Sequence, residues 1–90
     1  MAFSYSDKNF TVIGNLCFVH IFLDGTETVF DIPPAISDRM LINDFVFPYI
    51  DRNNGEHGIG LALIYNGKIS CTSSADNSYI MFFFPIDSNK

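Results

Sequence analysis

Two stretches of this chain are apolar at nearly every position rather than at every second one. Leu16–Leu23 reads LCFVHIFL, and Tyr79–Ile86 reads YIMFFFPI. In a strand, neighbouring side chains point to opposite faces. Leu16, Phe18, His20 and Phe22 therefore share one side of the first strand, and Cys17, Val19, Ile21 and Leu23 the other. In the second, Tyr79, Met81, Phe83 and Pro85 oppose Ile80, Phe82, Phe84 and Ile86. The β-branched and aromatic content and the flanking turns favour strand over helix. An antiparallel strand normally keeps one wet face, so strands of this kind must be covered twice.

Turn signals divide the rest. Asn66-Gly67 suits a type I′ hairpin, which needs φ > 0 at both central residues. It joins Ile59–Tyr65, apolar on both sides, to a strand with only Ile69 and Cys71 on its apolar side. Gly14-Asn15 predicts a type II′ turn between Phe10–Ile13 and Leu16–Leu23. Asp24-Gly25 predicts another hairpin, leading into Thr26–Ile32. Pro33-Pro34 ends that strand because proline cannot donate to a ladder. Ala35–Met40 reads as a connection in which Ser37 or Asp38 caps one helical turn. Leu41–Ile50 is a further strand, placed at an edge or a bulge by Pro48. Asp51–Gly58 and Ser73–Ser78 are polar turns. The sum is six to seven short strands: an all-β antiparallel sandwich or jelly-roll-like domain, with a small barrel as the alternative. Residues 1–9 are an entry segment, and residues 10–90 one domain.

Composition sharpens the problem of the greasy strands. The 90 residues are 48% hydrophobic and only 17% charged, with ten Phe and no Trp. A chain this short buries only about 60–65% of its unfolded surface, less than so much apolar material requires. The pattern predicts a homo-oligomer in which copies cover one another's sheet faces, with Phe18, His20, Phe22, Phe82 and Phe84 as interface residues. A long loop folded over one sheet is the alternative. His20 in such an interface would be a hydrogen-bonded histidine rather than a metal ligand, since no second ligand lies at a suitable spacing. Three copies meeting there would repel when protonated, weakening assembly below about pH 6; an oligomer size unchanged between pH 8 and pH 5 would dismiss that idea.

The net charge is −5, and the five Lys and Arg are scattered. No basic stripe exists for nucleic acid or an anionic membrane surface. Neither apolar run is long enough for a membrane-spanning helix, and the N-terminus lacks the basic and apolar regions of a signal peptide. Cys17 and Cys71 read as buried thiols; a disulfide would require their strands to be neighbours. No nucleophile motif, phosphate loop or metal-ligand spacing is visible, so no cofactor and no catalysis are expected. The Asp51–His57 loop fails as a calcium loop, because Gly55 stands where a ligand belongs and Ala62 where the closing Glu should be.

That loop is nevertheless the first candidate ligand site. Asp51, Asn53, Asn54, Glu56 and His57 offer planar polar groups for sugar hydroxyls, and Tyr49 a flat ring. The bland alternative is a solvated turn. Asp24–Glu27 and Ser73–Ser78, if clustered at one end, form a second candidate surface.

The order of features resembles the C-terminal heads of bacteriophage tail fibres and baseplate receptor-binding proteins. The residues concerned are Gly14-Asn15 with the strand that follows, the Ile32-Pro33-Pro34 step, Leu61 to Gly67, and the final aromatic strand Tyr79–Ile86. The resemblance implies a homotrimeric virion component, made in the host cytoplasm, that binds a saccharide or protein on a bacterial surface. A purely structural capsid or fibre subunit is the competing expectation, and a small glycan-active enzyme the third.

Overall fold

The computed structural model describes residues 3–50, 58–72 and 76–90. In chain order these form β1 (Phe10–Ile13), β2 (Leu16–Asp24), β3 (Val29–Asp31), the single helical turn α1 (Pro34–Ser37), β4 (Phe45–Ile50), β5 (Ile59–Tyr65), β6 (Lys68–Cys71) and β7 (Asp76–Pro85). They make two antiparallel sheets, one of three strands ordered β1-β2-β7 and one of four ordered β3-β6-β5-β4. The predicted all-β sandwich is the observed fold.

Two of the three turn signals act as hairpins. Gly14 has φ 61° and Asn15 does not take a positive φ, as type II′ requires, and Ile13 pairs with Leu16 across the turn. Asn66 and Gly67 have φ 51° and 72°, the type I′ pattern, and Tyr65 pairs with Lys68.

Asp24-Gly25 is not a hairpin. The Asp24 carboxylate Oδ1 accepts the Thr26 hydroxyl at 2.7 Å and the Thr26 N–H at 2.9 Å, an Asx turn that satisfies the loop locally. The chain then crosses to the other sheet, where β3 pairs with β6 and not with β2. The strand expected over Thr26–Ile32 contracts to Val29–Asp31, because the backbone at Thr26 is committed to the turn.

Two other boundaries move. Pro34 occupies the first turn of α1, where its fixed φ and missing N–H cost nothing. Ser37 and Asp38 consequently stand at the end of the helical turn rather than capping its start. Beyond it, Met40 bridges Ile86 at the margin of the three-stranded sheet, and β4 begins only at Phe45. Pro48 does lie on an edge strand, as its missing donor demands.

The core fills the space between the sheets. Cys17, Val19, Ile21 and Leu23 of β2 and Ile80, Phe82 and Phe84 of β7 face Ala62, Ile64, Ile69 and Cys71. Phe45 and Phe47 of β4 close one side: Phe47 stacks on Phe82 at 5.0 Å, and Phe45 lies 6.0 Å from Phe84. Phe82 and Phe84, 8% and 2% exposed, are thus residues of the chain's own core, not of an outer face. The outward residues of β7 are Tyr79, Met81 and Phe83. Cys17 and Cys71 are both buried and unbonded, on strands of different sheets. Burial pushes the Cys17 thiol up to about 12.

The entry segment is part of the fold. The Val12 N–H donates to the Tyr5 carbonyl at 2.9 Å, so the segment lies along the free side of β1. The Phe3 N–H donates to the Ser88 carbonyl, and the Arg39 guanidinium sits 3.7 Å from the centre of the Phe3 ring. These contacts, with the Asp87 N–H donating to the Arg39 carbonyl, tie the segments around Phe3 and Ser88 to the connection between β3 and β4.

One glycine is dictated by packing. Gly60 pairs across the sheet with Tyr49, and a Cβ at Gly60 would overlap the Tyr49 ring. Gly60→Ala should therefore cost about 1–3 kcal/mol by overpacking, read from urea unfolding. Tyr49→Leu in the same chain should return part of that loss. If Gly60→Ala is neutral, the ring does not sit where it is placed here.

Candidate recognition surface

The outer face of the three-stranded sheet is built by the register of β2 against β7. Leu16 pairs with Pro85, Phe18 with Phe83, His20 with Met81 and Phe22 with Tyr79. The Phe18 and Phe83 ring centres are 5.6 Å apart, and those of Phe22 and Tyr79 are 5.0 Å apart, tilted by 56°. Such cross-strand aromatic pairs stabilise the sheet by about 0.2–1 kcal/mol each. They also leave large apolar surfaces in water: Tyr79 is 65% exposed, Met81 67% and Phe83 60%. β1 extends the patch through Ile13, which pairs with Leu16. No carboxylate, lysine or arginine lies among these ladder positions. Of the interface residues expected from sequence, Phe18, His20 and Phe22 are on this face, whereas Phe82 and Phe84 point away from it.

His20 is half-buried in the middle of the face. Its backbone N–H donates to the Asn9 carbonyl at 2.9 Å. Asp7 lies close enough to feel its charge. Burial alone would raise the Asp7 carboxyl, but N–H donation from Asn9 and Phe10, each at 2.8 Å, the Tyr5 hydroxyl and the His20 charge together hold it below its ordinary value.

At the end of β2 the face runs into an open cleft of about 550 Å³. Phe22, Tyr79 and Phe30 supply its rings. Lys8, Asn9 and His20 supply nitrogen groups, and Asp24, Glu27 and Asp31 supply carboxylates. The volume falls within the roughly 300–1,000 Å³ of small-molecule sites, whose apolar walls carry a few convergent polar groups. Two of the carboxylates have structural duties. Asp24 holds the Asx turn, and Asp31 accepts from the Lys68 ammonium at 2.6 Å. A second recess of about 520 Å³ lies between the 37–44 connection and the β5–β6 hairpin, with Met40, Asn43, Asp44 and Tyr65 among its walls.

The candidate residues Asp51, Asn53, Asn54, Glu56 and His57 lie outside the described residues. Tyr49 is described, and it is not a surface platform. It lies on the inner face of β4, packed against the core beside Gly60, with its hydroxyl bonded to the Cys71 thiol. The second candidate surface fares differently. Leu23 pairs with Ser78 and Asp24 with Asp76, so the 24–27 loop and the start of β7 meet at one end, beside the cleft. Residues 73–75 lie outside the described set. Sequence reasoning passed over Lys8, Asn9 and Phe30, which reach the cleft only because the entry segment folds back and β3 crosses to the second sheet.

Among the described residues, no three of His, Cys, Asp and Glu converge as a metal site. No family model, curated protein or solved structure matches the chain.

The rim of the cleft can be titrated. The Thr26 hydroxyl and the N–H groups of Thr26 and Glu27 donate to Asp24 and hold its carboxyl below the ordinary 3.8. A carboxyl depressed on folding adds stability above its unfolded pKa and loses it as pH falls through the folded one. The Thr26 and Glu27 amide resonances should accordingly shift with a common midpoint below 3.8. A midpoint at or above that value would mean that the turn is not formed in solution.

Proposed function

We propose that this protein is a non-enzymatic recognition head that assembles as a homotrimer. The observation that carries the assembly is the outer face of the three-stranded sheet. Ile13, Phe18, Met81 and Phe83, the part of that face away from the cleft, are each 36–67% exposed. At about 200 Å² per large side chain they present on the order of 450 Å², before Leu16 and Pro85 are added. A stable interface needs about 800 Å² from each partner. Burying a large apolar side chain fully is worth roughly 1.5–3 kcal/mol, enough in sum to exceed the freedom lost on docking. The ladder positions from Leu16–Pro85 to His20–Met81 carry no carboxylate of their own, which limits repulsion between copies of a chain of net charge −5.

The β7 edge supports the same reading. Long apolar edge strands invite pairing unless they are guarded. β4 carries Pro48, β1 is lined by the entry segment, and β3 has three residues. β7 runs for ten residues with its proline only at the last position, where the Leu41 N–H donates to the Pro85 carbonyl.

Recognition is assigned to the loop end of the sheet, where the cleft opens beside the proposed interface. In the setting implied by the resemblance, the trimer stands at the tip of a phage adhesion device and the cleft meets a bacterial surface. A second reading, a shell or shaft subunit, is favoured by one observation. The outer face of the four-stranded sheet is apolar as well, with Val46, Ile50, Ile59 and Leu61 exposed. A chain covered by copies on both faces would polymerise further than a trimer.

Sedimentation separates these readings. A trimer of the 10.1 kDa chain should be present at micromolar concentration. Phe83→Asp should dissociate it while leaving the far-ultraviolet spectrum unchanged, since Phe83 lies outside the core. A monomer at that concentration would refute the assembly, and an open-ended size series would favour the structural subunit.

A further inference from the structure

The cleft at the end of β2 combines a wall of aromatic rings with a lip rich in hydrogen-bonding groups of both senses. Phe22 and Tyr79 form a tilted pair, and Phe30 joins them from the other sheet. A sugar ring presents the complement, with C–H surfaces for the rings and hydroxyls at its edge for the polar groups. Asn9 both donates and accepts, and carboxylates accept from hydroxyls.

Charge decides which sugar. The cleft holds three carboxylates, Asp24, Glu27 and Asp31, against one lysine, Lys8. Lys68 neutralises Asp31 from outside the lining. An acidic sugar would meet this lip at an electrostatic cost. An ammonium group would gain from the carboxylates and from the faces of Tyr79 and Phe22, which attract cations. We propose that the cleft binds a glycan unit carrying a free amine, that is, a hexosamine without its N-acyl group. The proposal rests on the recognition reading above, but not on assembly. One chain builds the whole cleft, and the apolar pair Phe18–Phe83 lies along the sheet from it, beyond His20 and Met81.

The test is a titration of the isotope-labelled protein, followed by amide chemical shifts. The probes are the fully deacetylated glucosamine trisaccharide, its N-acetylated counterpart and a galacturonic acid trisaccharide. The amine-bearing trisaccharide should move the resonances of Phe22, Asp24 to Glu27 and Tyr79. The N-acetylated one should bind about tenfold more weakly for want of the cation, and the acidic one not at all. Added salt should weaken the first interaction. Tyr79→Ala and, separately, Glu27→Gln should each reduce it several-fold with the remaining spectrum intact. Equal binding of the acetylated probe, binding of the acidic probe, or no response to any of the three would overturn the proposal. Sedimentation of the same samples keeps the outcomes apart: loss of the trimer with ligand shifts retained refutes assembly alone, and the converse refutes the cleft alone.

Discussion

The pairing of β2 with β7 is the contact on which the rest of the structure depends. It runs from Leu16–Pro85 to Asp24–Asp76 and joins residues from near the two ends of the chain. Alternation then acts on both strands together. One set of side chains, Cys17, Val19, Ile21 and Leu23 with Ile80, Phe82 and Phe84, enters the core. The other set, Phe18, His20 and Phe22 with Tyr79, Met81 and Phe83, is turned outward. Because both sets are largely apolar, one act of pairing creates at once the core and an exposed apolar face.

The second sheet completes the core and walls the cleft at one end of the first. Phe45 and Phe47 lie over Phe82 and Phe84, which fixes β4 above β7. Gly60 makes room for Tyr49, so β4 and β5 stay in register while Tyr49 reaches Cys71. The crossing from β2 to β3 carries Phe30 and Asp31 to the end of the first sheet. A tight β2–β3 hairpin would have left that end without a second wall.

Local chemistry was legible wherever a few adjacent residues decide the outcome. The backbone needs of type I′ and II′ turns identified both two-residue hairpins before any contact was considered, and Pro48 marked an edge strand through its missing donor. The same local logic failed at Asp24-Gly25. There the side chain answers the backbone within three residues, and the turn forms whether or not the flanking strands pair. Which sheet receives β3 is a matter of long-range pairing with β6, and no residue of the loop records it. Tyr49, expected as the flat ring of a ligand site, packs against the core instead for a related reason. Alternation placed Tyr49 on a face of β4 but could not say which face another sheet would cover.

By itself, the sequence determined that the chain is a sandwich of short antiparallel strands, where its two-residue turns at Gly14-Asn15 and Asn66-Gly67 fall, and that it carries more apolar strand surface than one small core holds. Tertiary structure alone decided which half of that surface stays outside. In YIMFFFPI every residue qualifies for burial, so a shift of one position exchanges Phe82 and Phe84 for Met81 and Phe83 without any change in pattern. The choice belongs to the opposing sheet, whose Phe45 and Phe47 pack on one alternate set and leave the other to water.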